Sequence, residues 1–245
     1  GSADVTIVTE ESAKSAADKI NAQTGKTGVV ATARTAALLT FDTPGAWSFA
    51  LQSDNTTVEK LSFTITSTTG TNGLSSVVSA INDKSSKTGI TASLNSDSTG
   101  VIVTNSTGSN IMITDSESIT SGSLTAQKMV ADADGQLVTA GTPFGIIVGY
   151  TPESWITGGF ITLDSEKSYS VTATSTNIVG AAGAASSSLR KVSDLDISTF
   201  GKATEALKTG DSALSFINGE RAKLGALQSR FESSISNLQV TSENL

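Results

Sequence analysis

The carboxyl-terminal part of the chain has a regular spacing of apolar side chains that restricts how it can fold. Its apolar residues recur at alternating steps of three and four, a 3.5-residue period that is typical of helices packed along other helices. A continuous helix over 198–245 would be about 70 Å long and could not bury its apolar stripe against itself. The spacing therefore predicts a rod that packs on other helices. The positions on the stripe are Phe200, Ala203, Leu207, Gly210, Leu214, Ile217, Arg221, Leu224, Gln228, Phe231, Ile235 and Leu238.

Two polar residues, Arg221 and Gln228, interrupt this stripe. Polar side chains at such positions can set the register and the choice of partner, at a cost in stability. They can equally lie at the edge of the stripe with their polar ends in water. The sequence leaves both interpretations open.

Composition excludes several classes of site. The chain has no cysteine and no histidine, which rules out disulfides, thiolate metal sites, Ser-His-Asp triads and the commonest zinc ligand. Its net charge of −7 comes entirely from residues 1–185, whereas 186–245 is neutral. There is no basic patch for nucleic acid, no apolar run long enough to span a membrane and no recognisable signal peptide.

A repeat occupies the amino-terminal part, with an offset of 61 residues between its copies. Each copy has four apolar residues at i, i+3, i+4 and i+7, which predicts a short helix with one buried face, and a Thr-Gly step follows that would end it. A β-rich stretch comes next in both copies. The repeated residues that define the unit are Ile20, Asn21, Thr27 and Gly28 in the first copy, and Ile81, Asn82, Thr88 and Gly89 in the second.

Alternating apolar residues predict further strands, and small residues predict a linker. The segment 180–188 is rich in Gly, Ala and Ser and is interpreted as a connector, with Asp196 or Ser198 as the N-cap of the long helix. The predicted strands are 29–41, 47–51, 61–66, 90–94, 101–105, 111–114, 124–130, 145–150, 160–163 and 169–174.

Few residues suggest a chemical site. The segment 95–100 begins like a calcium loop but lacks the acidic residue that would complete it, so a hairpin turn is the better interpretation. The acidic pairs Glu10–Glu11, Asp115/Glu117 and Asp164/Glu166 are explained as surface acids of a negatively charged region. We therefore expect no catalytic residue, no metal and no cofactor, and no enzyme activity.

The sparse aromatic residues Trp47, Tyr150, Trp155 and Phe160 allow two interpretations. Exposed aromatic rings can stack on sugars, and this would suit a glycan-binding surface. Large side chains also fill the cores of sheets rich in Ser and Thr, and this interpretation is favoured.

The segment 205–238 resembles the carboxyl-terminal helix of bacterial flagellins. Arg221-Ala222, Leu224-Gly225-Ala226, Gln228, Arg230 and Asn237-Leu238 match the motif of that family, and 196–199 fits the segment that precedes it. The resemblance implies that the apolar stripe contacts neighbouring helices. The residues assigned to subunit and helix packing are Leu207, Leu214, Ile217, Arg221, Leu224, Gln228, Phe231, Ile235 and Leu238.

The amino-terminal repeat resembles the Ile-Asn motif of flagellins and of hook-associated and cap proteins. Together the two resemblances imply an α+β chain with three parts. These are an outer β-rich region with tandem Ile-Asn motifs (1–115), a further β-rich segment with the small-residue linker (116–185), and the carboxyl-terminal helical rod of a coiled-coil-like core (186–245).

The implied function is that of a structural subunit of the extracellular flagellar filament, which acts in motility. Its partners would be other flagellin subunits, an export chaperone and hook-associated proteins. The resemblance also implies that the chain is truncated at both ends, and the opening Gly1-Ser2 is interpreted from the sequence as a cloning remnant. Two alternatives remain: a hook–filament junction or cap protein, and a cell-surface adhesin that binds glycans on a flagellin scaffold.

Overall fold

The protein combines antiparallel sheets with helices, as predicted. The computed structural model describes residues 1–115, 122–148, 154–173 and 183–244. The helices are α1 (Ala13–Asn21), α2 (Thr24–Thr27), α3 (Thr71–Asn82), α4 (Ser85–Thr88) and α5 (Phe200–Glu243), with a short 3₁₀ turn at Val192–Asp194. The strands are β1 (Val30–Phe41), β2 (Gly45–Gln52), β3 (Glu59–Ile65), β4 (Ile90–Leu94), β5 (Val101–Asn105), β6 (Ile111–Asp115), β7 (Gly122–Ala131), β8 (Leu137–Thr139), β9 (Phe144–Val148), β10 (Ser154–Thr157), β11 (Phe160–Asp164), β12 (Ser170–Ala173) and β13 (Gly183–Ser186).

Strand β1 is the centre of the larger sheet. Its carboxyl-terminal half lies between β5 and β7, and its amino-terminal half pairs with β11. The sheet runs in the order β4-β5-β1-β7-β8, with β9 also paired to β7, and a second sheet has the order β10-β6-β2-β3. Strands β12 and β13 form a separate ribbon. Strand β1 has 12 residues, which leaves room for β11 at one end and for β5 and β7 at the other.

The main core lies between the two larger sheets and is closed by α3. Aromatic rings meet edge to face at its centre, where Phe41 contacts Trp47 and Phe63, and Phe63 contacts Phe49. Trp47 is 2% exposed, and its indole N–H donates to the Thr43 carbonyl at 3.2 Å. The core interpretation of this tryptophan is therefore correct.

A second, smaller cluster holds α1 on β1. It consists of Ala13 and Ala17 from the helix and Ala31 and Ala33 from the strand. Alanine side chains let the helix approach the sheet closely but remove little apolar surface from water. The helix is held also at its start, where Ser12 caps it by accepting a hydrogen bond from the Ser15 amide.

Glu11 ties the start of α1 to the segment before it. Its carboxylate lies 2.8 Å from Lys19 Nζ and accepts hydrogen bonds from the Ser15 hydroxyl and the Val8 amide. The bond from Lys19 does most to lower the pKa of Glu11, from 4.5 to about 2. The interaction therefore stabilises the folded chain above the ordinary pKa of glutamate and is lost as the pH falls through about 2.

We expect NMR titration of the side-chain carboxyl to show Glu11 still ionised at pH 3.5. The Lys19→Met variant should raise the Glu11 pKa toward 4.5, because it removes the strongest donor to the carboxylate. Lys26→Met, on the neighbouring α2, should leave the Glu11 titration unchanged. A wild-type Glu11 that titrates near 4.5, or one that is indifferent to Lys19→Met, would contradict the arrangement.

Several sequence-based boundaries need correction. The N-cap of α5 is Thr199, whose hydroxyl accepts from the Lys202 amide, and neither Asp196 nor Ser198. Asp196 instead accepts from the Ser198 amide and pairs with Lys202 at 2.8 Å. The segment 180–188 is more than a connector, because Gly183–Ser186 forms β13 and pairs with β12. Backbone pairing outweighs the weak strand propensity of Gly and Ala there.

Other predictions hold or lie outside the described residues. The strands at 90–94 and 101–105 have the predicted bounds, and most others differ by one or two residues at an end. Strands β8 and β10 were missed. Tyr150, Glu117, Leu245 and the ends of the strands predicted at 145–150 and 169–174 lie outside the described residues.

Candidate functional site

The two Ile-Asn units share one conformation. Asn21 donates to the Ala31 carbonyl at 2.9 Å and accepts from the Ala31 amide at 2.7 Å. Asn82 makes the same pair of bonds to Ala92, at 3.0 and 2.8 Å. Each asparagine side chain thus bonds to both backbone groups of one residue on the following strand, as a neighbouring strand would. These two bonds fix the helix on that strand. The prediction of a common fold for the two copies is confirmed.

The Thr-Gly step reverses the chain in the same way in both units. Thr27 and Thr88 each donate to the carbonyl four residues earlier and accept from the amide two residues later. Gly28 and Gly89 both have φ of 70°, a left-handed conformation that costs glycine little and other residues more. The sequence placed this reversal correctly. It did not show that a one-turn helix, α2 or α4, lies between the asparagine and the glycine.

The units differ in how deeply they are buried. Leu74, Val77 and Ile81 of α3 are fully buried in the main core, whereas Ile20 of α1 is half-buried beside the smaller cluster. A Cβ added at Gly89 would clash with the Asp54 carboxylate, whereas the nearest atom to a Cβ added at Gly28 would be 4.0 Å away. The second unit therefore contributes its apolar side chains to the main core, and the first unit does not.

Asn82 should contribute strongly to stability through its two bonds to Ala92. We expect Asn82→Ala to lower the free energy of unfolding by about 2 kcal/mol, because a partly buried amide and carbonyl lose their partner. Asn72→Ala, at an exposed position of the same helix, is the matched control and should change it by less than about 0.5 kcal/mol. Urea unfolding followed by circular dichroism measures both. Equal effects of the two substitutions would refute the structural role of Asn82.

A polar network that sequence analysis missed joins the two units. Asn105 is completely buried at the end of β5; its amide nitrogen donates to Ser53 Oγ and Asp54 Oδ2, and its carbonyl oxygen accepts from the Thr107 and Gly108 amides. The Gly108 carbonyl in turn accepts from the Lys14 amide at the start of α1. The only sequence signal was an asparagine at an otherwise apolar position of a strand.

The packing residues assigned from the stripe lie on α5, a helix of 44 residues and about 66 Å. The apolar side chains among them are mostly exposed in the single chain: Leu207, Leu214, Ile217, Leu224, Phe231, Ile235 and Leu238 are 53–71% accessible to solvent. Arg221 and Gln228 are exposed as well, and Gln228 donates to Glu232 on the same helix at 2.9 Å. Their role in register therefore stays a prediction.

The start of α5 touches the β-rich part. Lys208 lies 3.1 Å from Glu205 and 3.5 Å from Asp164 of β11. Gly201 and Glu205 approach the turn at Gly135. Beyond this end, the helix presents its apolar stripe to solvent, and a helix of this kind requires a partner to bury it.

Comparison with known proteins agrees with this geometry. The chain is 32% identical over 97% of its length to the B-type flagellin of Pseudomonas aeruginosa, and it spans 47% of that protein. A family model described as the flagellin hook IN motif matches residues 52–108, which contain the second unit. The resemblance to bacterial flagellins is confirmed. Shorter matches link this flagellin-like chain to Flagellin E of Vibrio cholerae, at 48% identity over 22% of the chain, and to a flagellin of Clostridium tyrobutyricum, at 49% over 21%. They cover 14% of each of those proteins.

The remaining candidate residues of this flagellin-like chain lie in a turn, on strands or at the edge of the core. The 95–100 segment is a hairpin turn, in which Asn95 accepts from the Thr99 and Gly100 amides. No cluster of acidic side chains suited to a metal occurs among the described residues. Trp155 is partly buried against the main core, and Phe160 is half-buried on β11. Within the same part of the chain, no helix has the length and apolar character that a membrane crossing needs.

Proposed function

We propose that this chain is the outer region and part of the helical core of a structural subunit of the bacterial flagellar filament. The observation that carries the proposal is the similarity of the chain, along 97% of its length, to a flagellin. The apolar stripe that the chain leaves exposed on its long helix supports it. The role is mechanical. It needs neither a catalytic group nor a cofactor.

In this proposal the chain has three parts. The outer β-rich region with its tandem Ile-Asn motifs spans 1–115, a further β-rich segment and small-residue linker spans 116–185, and the helical rod of the core spans 186–245. The hydrogen bonds of Asn21 and Asn82 to the following strands, and the buried aromatic side chains of the first part, support a stable outer region. The neutral charge of the rod suits packing against identical copies, which strongly charged surfaces would oppose.

The rod would associate with helices of its own and neighbouring subunits as a coiled coil. Burying one large aliphatic or aromatic side chain stabilises an assembly by about 1.5–3 kcal/mol. The exposed stripe carries seven such side chains, from Leu207 to Leu238, so repetition along a filament would offset the loss of freedom on assembly. Neighbouring flagellin subunits are the proposed partners, together with an export chaperone and hook-associated proteins, and the site of action is the extracellular flagellum.

The alternatives differ in where the protein would be found. A junction protein would lie at the base of the filament and a cap protein at its tip, whereas a filament subunit would be distributed along the whole shaft. The matches over residues 52–108 fit all three, but the similarity over nearly the whole chain is to a flagellin, and this favours the shaft. An adhesin would additionally need a glycan-binding surface.

Immunogold electron microscopy on cells that express the complete protein tests the proposal. An epitope inserted in the exposed 95–100 turn should label the filament along its entire length. An untagged strain is the control for antibody background, and a swimming assay checks that the tagged protein functions. Label confined to the base or the tip of the filament would favour the junction or cap protein and overturn the proposal.

A further inference from the structure

A cavity of about 420 Å³ opens at the edge where the two larger sheets meet. Its lining combines Lys128 of β7 and Trp155, Thr157 and Gly158 of β10 and the following turn with the segment from Ala140 to Thr142. This volume falls within the range of sites for small molecules and is sufficient for one sugar ring. No part of the proposed filament role uses it.

Lys128 points into the space between the sheets. In the larger sheet Lys128 lies directly opposite Ala37, which belongs to the main core. Residues paired in this way point to the same face of a sheet, so the Lys128 side chain is on the face that covers the core. Its ammonium group is half-buried, and its hydrogen bond to the Gly159 carbonyl is long, at 3.4 Å. No carboxylate among the described residues pairs with it. Burial lowers the Lys128 pKa, which is the sign of a desolvated cation without a counter-ion.

Trp155 forms the facing wall. It lies opposite the buried Ile113 on the second sheet, and thus also faces inward, and its ring packs on the edge of the core while lining the cavity. Thr142 and Thr157 add hydroxyl groups. An aromatic surface, hydroxyl groups and one cation together suit a ligand with an apolar ring face, polar edges and a single negative charge.

We propose that this cavity binds a monosaccharide that carries one carboxylate, with Lys128 pairing the carboxylate and Trp155 stacking on the sugar ring. A carboxylate supplies the counter-ion that Lys128 lacks and offsets its desolvation. A phosphate suits the site less, because a dianion is usually held by several cations or by a helix N-terminus, and the lining offers a single lysine. The acidic character of the chain disfavours polyanions, but at physiological salt the charges of distant surface acids are largely screened beyond about 8 Å.

Titration of the ¹⁵N-labelled 245-residue chain with D-glucuronate, followed by NMR at constant ionic strength, tests the site. Amides of 128–130, 140–142 and 155–158 should shift saturably, with a dissociation constant of about 1 mM. Lys128→Met should weaken binding by about tenfold or more, because it removes the charge and keeps most of the side-chain volume. Lys60→Met, at an exposed position of β3, is the matched control and should bind like the wild type.

Two further arms define the ligand class. D-glucose should bind at least about tenfold more weakly than D-glucuronate, because it lacks the carboxylate, and acetate should bind more weakly because it lacks the ring. Trp155→Phe should also weaken glucuronate binding, and this variant keeps the test open if Lys128→Met does not fold. Absence of saturable shifts, equal binding by the wild type and a folded Lys128→Met, or equal binding of acetate and glucuronate would each overturn the proposal.

Discussion

Leu224→Glu in the complete protein is expected to abolish filament assembly and swimming. Leu224 lies in the centre of the apolar stripe of α5 and is 66% exposed in the single chain, so the fold of the chain itself does not depend on it. In a filament built through this stripe, the substitution would place an unpaired carboxylate among apolar side chains. Such a buried charge costs several kcal/mol, and every subunit would bear the cost. Electron microscopy and swimming assays measure the result, and immunoblots for secreted monomer check that export is intact.

Ser233→Glu is the matched control for this experiment. Ser233 lies nine residues beyond Leu224, which at about 100° per residue places it on the opposite side of the helix. The same charge there should leave assembly intact, as should Asp97→Ser in the exposed 95–100 turn. Normal motility of Leu224→Glu, or loss of filaments in Asp97→Ser despite normal export, would refute the assignment of the stripe to the core and of the turn to the outer surface.

Local patterns were sufficient to predict the longer helices α1, α3 and α5 and most of the strands. The i, i+3, i+4, i+7 spacing from Leu74 to Ile81 predicted α3 and its buried face, and the 3.5-residue period predicted α5 nearly to its ends. The 61-residue offset predicted that two units would fold alike, which the paired asparagine bonds confirm. These predictions succeeded because helix periodicity and turn residues act over a few positions of the chain.

The features that the sequence did not predict depend on contacts with distant parts of the chain. Strand β13 consists of Gly, Ala and Ser, and it is a strand only because its backbone pairs with that of β12. Strand β10 has four residues and is held by β6, whose paired residues lie forty or more positions earlier in the sequence. The network around Asn105 depends on Ser53 and Asp54, which no local pattern connects to it. Lys128 and Trp155 likewise meet at one cavity through sheet order alone.

The difference in burial between the repeats gives the second large prediction. Ile81 and Ile20 are equivalent in sequence, but Ile81 is fully buried in the main core and Ile20 is half-buried beside a cluster of alanines. Ile81→Ala should therefore lower the free energy of unfolding by about 2–5 kcal/mol, through lost apolar burial and a cavity. Ile20→Ala should cost less than about half of that, because water already reaches its site and less apolar surface is lost.

Urea unfolding followed by tryptophan fluorescence distinguishes the two substitutions, since Trp47 lies in the main core. Both variants replace the same residue type at the same position of a short helix, so their intrinsic helix propensities change equally and cancel in the comparison. The slope of the free energy against urea concentration should stay constant, which shows that the midpoint shift reports stability. Equal losses of unfolding free energy at Ile20 and Ile81 would contradict this prediction, because they would mean that both units contribute equally to stability. A larger loss at Ile20 would mean that the small alanine cluster, and not the aromatic core, holds the amino-terminal part together.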